Sequence, residues 1–387
     1  MRRSFGLPID RLGFLLAAVT LGYLVSSFSS GRVVARFGLG RVLAGSSALV
    51  AASLTLYVVS PAWGLVILGG VLAGLGAGAI DAGINAYAAS CFTAGRVSWL
   101  HACWGIGAAL GPLVMTGAIA SGFGWRWGYS GLAVSVAALG VAFHHTRSRW
   151  DLGAVTQEHP AASLLASLRH GPVQGNMALF FWYVGLESGI GQWAYSLLTE
   201  SRRVGATTAG IWVSAYWASL TIGRMLSGVL ADRLGPSRLL RAAVAVTPLG
   251  AGFVCASLGP GADVLGLVLM GLGLAPVFPL LIAGTPRRVG PAHAGNAVGF
   301  QVSVGSIGAA LLPGGMGFIA QRAGVEAIAV CWLASTLVLL LLHEGVRATT
   351  GGAEQNRRPV PGDGPGPTTA EGAIPAPAAP ARTRTGE

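Results

Sequence analysis

Two carboxylates stand where charge is expensive. Asp81 lies in GAIDAGINAYAAS, at the end of an apolar run that begins at Trp63, and Glu187 lies in YVGLESGIGQW, among residues equally free of other charge. An Asp at the centre of a membrane helix costs about 2.5–3.5 kcal/mol on insertion scales, and such residues persist mainly where they face a polar cavity. A carboxyl there can hold a proton at neutral pH and release it when water arrives, so both are candidate proton-coupling groups. Gly74, Gly78, Asp81 and Asn85 are spaced 4, 3 and 4 residues apart and share one helix face. The glycines admit a neighbouring helix while the polar pair points inward. His101, Gly105, Ala108 and Pro112 repeat the spacing on the following run. Glu187 and Trp193 are six apart, so their joint action with Gln192 requires a break within GLESGIGQW. An indole face beside amide and carboxylate groups then offers stacking and hydrogen-bond partners to a sugar ring. Gln301 and Asn296, in GNAVGFQVSVG, are further polar candidates. Structural roles compete with these: Glu187 can pair with His101 or Arg224, Asn85 and Gln192 can bond across helices, and His101 can cap or pack.

These residues need helices that cross a membrane. The 387-residue chain is 53% hydrophobic and 10% charged, against about 25% charged in an ordinary globular domain. Runs at 11–31, 41–60, 63–90, 98–121, 127–145, 174–199, 207–231, 239–258, 262–285, 294–320 and 324–343 are each long enough to cross ~30 Å of hydrocarbon. The expectation is an all-α polytopic membrane protein with eleven transmembrane helices, and Pro276 and Pro279 predict a kink in the ninth. Every basic side chain but the histidines is an arginine. If the helices alternate across the bilayer, Arg32, Arg36, Arg41, Arg96, Arg147, Arg149, Arg169, Arg233, Arg238, Arg241, Arg287 and Arg288 fall on one side, and only Arg126, Arg202, Arg203 and Arg322 on the other. That asymmetry places the first set and the C-terminus in the cytoplasm, of an inner or plasma membrane, and removes the reason to invoke nucleic acid for a net charge of +11. The four cysteines are scattered and imply neither disulfide nor metal site.

The chain is internally duplicated. RFGLGR, Arg36 to Arg41, corresponds to RLGPSR, Arg233 to Arg238, at an offset of 197 residues, and Ser30–Gly31 to Ser227–Gly228. At the same offset GLG at 74–76 meets GLG at 271–273, and IGAALGP at 106–112 meets IGAALLP at 307–313 at 201. The organisation expected is an N-terminal bundle at 1–146, a cytoplasmic linker at 147–173, a C-terminal bundle at 174–344 and a Pro-rich disordered tail at 345–387. Subtracting 197 from 174–199 places that helix's partner before the first residue, so the first half is expected to lack its first helix.

In GRVVARFGLGR and GVLADRLGPSR small residues close a helix before a tight basic turn, where Asp232 can bond neighbouring arginines or a helix N-terminus. Both copies resemble the loop signature of the major facilitator superfamily, with Ala35 where the first acid is expected. Gly31, Arg36, Arg41, Gly228, Asp232, Arg233 and Arg238 are therefore assigned to gating and hinge. IDAGINAY, LHACWGIGAALGPL and YVGLESGIGQWAYSLL further resemble the fucose-galactose-glucose:proton symporter family. The resemblance covers residues 11–344 and implies two six-helix bundles rocking about a central site. It implies a proton role at Asp81 and a sugar-region role at Asn85.

The expected function is secondary active transport, proton-coupled uptake of a sugar or similar polar solute by alternating access. The expected partners are the lipid bilayer, a small-molecule solute and a coupling cation, H⁺, with no nucleic acid; a monomer is the expected state. Proton-driven efflux is the alternative within transport, since GAALGPLVMTG partly resembles an antiporter signature, although Met115 and Thr116 replace its glycine pair. A transporter-like protein that has lost transport is the alternative outside it. No nucleophile elbow, phosphate loop or metal-ligand cluster marks an enzyme, and no cofactor or metal is expected.

Overall fold

The computed structural model describes residues 5–6, 12–150 and 162–355; the part of the expected disordered tail from 356 to 387 lies outside the described residues. The chain is all-α, and no strand occurs among the described residues. In the first half the helices are α1 (Leu12–Phe37), α2 (Leu39–Val59), α3 (Trp63–Cys91), α4 (Ala94–Ala120) and α5 (Trp125–His145), followed by a 3₁₀ turn at Arg147–Trp150. A short α6 (Leu164–Arg169) leads into α7 (Gly171–Ser196), which ends in a π-helical turn at Leu197–Ser201. The second half continues with α8 (Ala206–Leu234), α9 (Pro236–Cys255), α10 (Pro260–Leu274), α11 (Val277–Ala283), α12 (Thr285–Val289), α13 (Pro291–Ala323) and α14 (Ala327–Gln355).

Among the described residues, eight helical segments are long and apolar enough to cross a membrane, with α10 and α11 counted together. The long helices α4, α7 and α8 fall outside that set; they reach 27, 26 and 29 residues and carry Arg96, Glu187 and Arg224. The outer surface is apolar, with Leu16, Val134 and Leu341 about 70% exposed, as expected of side chains that face lipid rather than water. The ninth predicted span is interrupted at Ala275–Pro276, where Pro276 cannot continue the hydrogen-bond ladder.

Some boundaries differ from the expectation. The helix expected to stop at 31 runs to Phe37, and the tail expected from 345 is helical to Gln355. In the first case exposed Arg32 and Arg36 are carried on the helix without ending it, and in the second Arg347 pairs with Glu344 one turn earlier. The loop motif is thereby compressed to one residue per copy, Gly38 at φ 79° and Gly235 at φ 85°, each a left-handed turn that glycine adopts without strain. The linker expected at 147–173 contains α6 and the first residues of α7.

The duplication is visible in the packing. A Cβ on Gly76 would lie 2.7 Å from the Ser46 carbonyl oxygen and against Val50, and one on Gly273 would lie 2.9 Å from the Ala243 carbonyl oxygen and against Thr247. Every one of these partners is shifted by 197. Gly74 and Gly271 likewise let α3 and α10 approach Val19 of α1 and Tyr216 of α8. Within each half the glycines permit contacts too close for any side chain, which is how helices associate where lipid is as apolar as leucine.

The halves meet most extensively through two equivalent pairs, α1 with α13 and α4 with α8. Ser27 and Ser303 hydroxyls are 2.7 Å apart, Gly31 abuts Asn296, and the Phe28 and Phe300 rings lie 4.5 Å apart. On the other pair, Gly95 abuts Gly228 and Trp99 packs over Gly228. These contacts all fall in the helix halves nearer the arginine-rich turns, so the two bundles are fastened at that end.

Candidate functional site

The first acid is held by the glycine stripe that the spacing indicated. Gly78 brings α3 against the backbone of Tyr23 on α1, and Tyr23 donates its hydroxyl hydrogen to Asp81 Oδ2. Asn85, one turn further along, donates through Nδ2 to Asp81 Oδ1 at 2.8 Å and to its backbone oxygen at 2.9 Å. Asn85 is 2% exposed, whereas Asp81 is only partly buried. The carboxylate thus has one donor for each oxygen, so its charged form is held by hydrogen bonds from both neighbours.

The second acid sits near the middle of α7 within a different network. Tyr183, one turn earlier, donates to Glu187 Oε2, and Arg224 Nη2 of α8 lies 3.2 Å from the same oxygen. The Tyr216 hydroxyl donates to the Glu187 backbone oxygen at 3.0 Å. The Arg224 side chain is 5% exposed and that of Glu187 13%, so this is a buried ion pair between two helices of the second half. The first half reaches it through two side chains of α4. The Trp104 ring lies 5.7 Å from the Arg224 guanidinium, and the His101 ring lies 4.6 Å from that of Phe278, which also touches Phe180 and Tyr183.

The remaining candidates are dispersed. α7 is continuous to Ser196, so the break expected within GLESGIGQW is absent and the irregular turn comes after it, at Leu197–Ser201. Trp193 therefore stays on another face from Glu187: its indole N–H donates to the Pro313 backbone oxygen at 2.9 Å and its ring covers Gly317. Gln192 is exposed. Gln301 is fully buried and accepts from Thr285 at 3.0 Å, tying α12 to α13. His101 lies two turns inside α4 rather than at its start, because the helix begins at Ala94.

The family model for the Major Facilitator Superfamily matches residues 1–313 and, in a second copy, 188–380. The chain belongs to that superfamily. Over 175 residues it is 27% identical to Bypass of stop codon protein 6 of Saccharomyces cerevisiae, a match that takes in 41% of this chain and spans 34% of the yeast protein. It is 26% identical over 165 residues to an uncharacterized MFS-type transporter of Yersinia pestis, 42% of each chain. Its fold is similar to that of FucP in the outward conformation, the fucose:proton symporter of E. coli. The TM-score is 0.74 at 16% identity, covering 89% of this chain and 92% of that one.

The superfamily signature has unequal copies here. Asp232 caps the start of α4, accepting from Gly95 N at 3.3 Å and from the Thr93 hydroxyl at 3.4 Å, a favourable placement of negative charge at a helix N-terminus. In the first copy the equivalent residue is Ala35, so α1 and α13 meet without that bond. Gly31 and Gly228 lie inside helices at the contacts between halves, and Arg36, Arg41, Arg233 and Arg238 are exposed around the turns. Tyr23 and Tyr216 were not among the sequence candidates. Tyr183 could have been found from its four-residue spacing to Glu187; Tyr23, 58 residues from Asp81, had no such mark.

Proposed function

We propose that the chain is a secondary active transporter that takes up a sugar or similar polar solute with protons, by alternating access. The observation that carries this is the pair of carboxylates well inside their helices, one in each half, each already supplied with donors from its own bundle. A carboxylate so held can exchange a proton with water on one face of the membrane and, after the bundles rock, on the other. Fastening of the bundles at the arginine-rich end supports a state open to the opposite face; with the arginines cytoplasmic, that face is outward. The structural likeness to a fucose:proton symporter supports the choice of solute and cation. Asp81 and Glu187 are the coupling groups, and Asn85 and His101 are the solute contacts best placed beside them. Residues 12–145 and 171–344 act as the two moving bodies, all eleven long helical segments cross the plasma membrane, and the C-terminus is cytoplasmic in a monomer.

The test is uptake of a labelled sugar panel into proteoliposomes under an imposed pH gradient. Concentrative uptake of at least one sugar that collapses with a protonophore is expected. Solute movement only against the proton flow would replace uptake by efflux, and no proton-dependent movement of any panel member would overturn the proposal.

A further inference from the structure

We propose that a groove on the lipid-facing side of the first half, between α2 and α5, is a binding site for one anionic phospholipid. Its phosphate would lie between Arg41 and Arg147 and an acyl chain along the helices. The site rests on the membrane fold alone and does not depend on the transported solute.

The groove is open along its outer side and offers about 800 Å³. Its α2 wall is made of Ala44, Gly45, Ala48 and Ala51, and Ala137 and Val141 of α5 face it. At Gly140 the helices touch, since a Cβ there would lie 3.2 Å from that of Ser47. Beside that contact the small side chains leave a trough, into which Gly45 opens with no neighbour within 4 Å of an added Cβ. From Arg41 to Ala51 is ten residues, ~15 Å at ~1.5 Å per residue. That is half of ~30 Å, the depth of one leaflet.

The polar end is built rather than incidental. Gly40 allows the backbone of Arg147 to rest directly on the start of α2, 2.6 Å from where a Cβ would stand, which brings the 3₁₀ turn beside Arg41. Trp150 pins the same turn, with its ring 5.4 Å from those of Tyr87 and Phe143 and its indole N–H bonded to Thr146 at 3.1 Å. Arg147 Nη1 lies 3.0 Å from His144 Nε2 and 3.3 Å from the His144 backbone oxygen, holding the guanidinium at the mouth. Arg41 makes one long bond, 3.5 Å, to the Phe37 backbone oxygen. The lining therefore gathers two guanidinium groups and an imidazole at one end and includes no carboxylate.

Arginine N–H groups match phosphate oxygens in pairs, and basic pockets between membrane helices on the cytoplasmic side hold anionic headgroups. A headgroup at the water boundary with its chain in an apolar trough one leaflet deep satisfies both ends. A soluble anion would use only the arginines, and a zwitterionic lipid would bring its own cation to a site that already holds two.

The test is native mass spectrometry of the full chain released from nanodiscs containing phosphatidylglycerol and phosphatidylcholine in equal amounts. One phosphatidylglycerol retained in preference is expected, with a roughly fivefold loss of that preference for each of Arg41→Gln and Arg147→Gln. Ala48→Leu, which fills the trough and leaves the charges, should lower retention as well and covers the case in which the arginine variants fail to fold. Equal retention of both lipids by the wild type, unchanged retention in the folded variants, or displacement of the lipid by millimolar inorganic phosphate would overturn the proposal.

Discussion

Tyr23 donates its hydroxyl hydrogen to Asp81 across the α1–α3 boundary, at the level where Gly78 lets the two backbones meet. The bond supports the charged carboxylate and is lost if the hydroxyl is removed. Hydrogen bonds to charged groups are worth about 1.5–3 kcal/mol, so Tyr23→Phe should slow proton-driven uptake by roughly tenfold or more. Asp81→Asn should abolish accumulation while leaving exchange of solute between two pools, which needs no net proton movement. Concentrative uptake by Asp81→Asn with an unchanged pH profile would remove Asp81 from the coupling role.

The Glu187–Arg224 pair predicts an asymmetry in stability. Breaking a buried pair costs about 3–5 kcal/mol because one charge is left uncompensated. Arginine cannot shed its charge, whereas a carboxyl can take up a proton. Glu187→Gln should therefore lower Tm more than Arg224→Gln, despite the Arg224 contact with Trp104. The double variant Glu187→Gln, Arg224→Met should be more stable than Glu187→Gln alone. Differential scanning fluorimetry in one detergent checks the order, and equal losses from the two single variants would contradict it.

Asp232 predicts control of the bundle contact. Its carboxylate at the start of α4 contributes about 0.3–1 kcal/mol as a helix N-terminal charge, enough to shift a two-state balance by roughly two- to fivefold. Asp232→Asn should broaden and lengthen the distance between spin labels at positions 90 and 237, one in each half and each a few residues along the chain from the Thr93–Asp232 contact. Ala35→Asp, placing an acid at the equivalent position near the start of α13, should shorten distances on the α1–α13 side. No change in either distribution would mean that the glycine contacts alone hold this end closed.

How far these features can be read from sequence depends on whether physics leaves a periodic mark. Gly74, Gly76, Gly271 and Gly273 are legible because a close helix crossing tolerates nothing larger, and the same demand recurs at 197 residues. The interruption at Ala275–Pro276 is legible because Pro276 lacks the N–H the helix needs. The continuity of α7 through GLESGIGQW is not legible, because glycines at 185, 189 and 191 suggest a break, whereas in the fold they accommodate Leu312, Met316 and Trp217. The Tyr23–Asp81 and Arg224–Trp104 contacts leave no mark, since each joins residues whose nearness exists only once the helices are assembled.

At the opposite end, Arg202 gathers the second half. Its guanidinium bonds Glu326 at 2.5 and 3.0 Å, Asp263 at 2.8 Å and the Val254 backbone oxygen at 2.8 Å, joining the π-helical turn to the ends of α9, α10 and α14. The hydrogen bonds from Arg202 hold the Glu326 carboxyl below its usual range. A depressed folded value means that its stabilisation is fully present above the unfolded value of about 4.3 and is lost as pH falls through the folded one. The Glu326 side chain is 48% exposed, so solvent screening keeps its share to well under about 1 kcal/mol. Between pH 5 and 3 (roughly, around that carboxyl range) the wild-type Tm should fall more steeply than that of Glu326→Gln, and the two should converge at the acid end. Parallel curves across that range would show that Glu326 contributes nothing to the acid response.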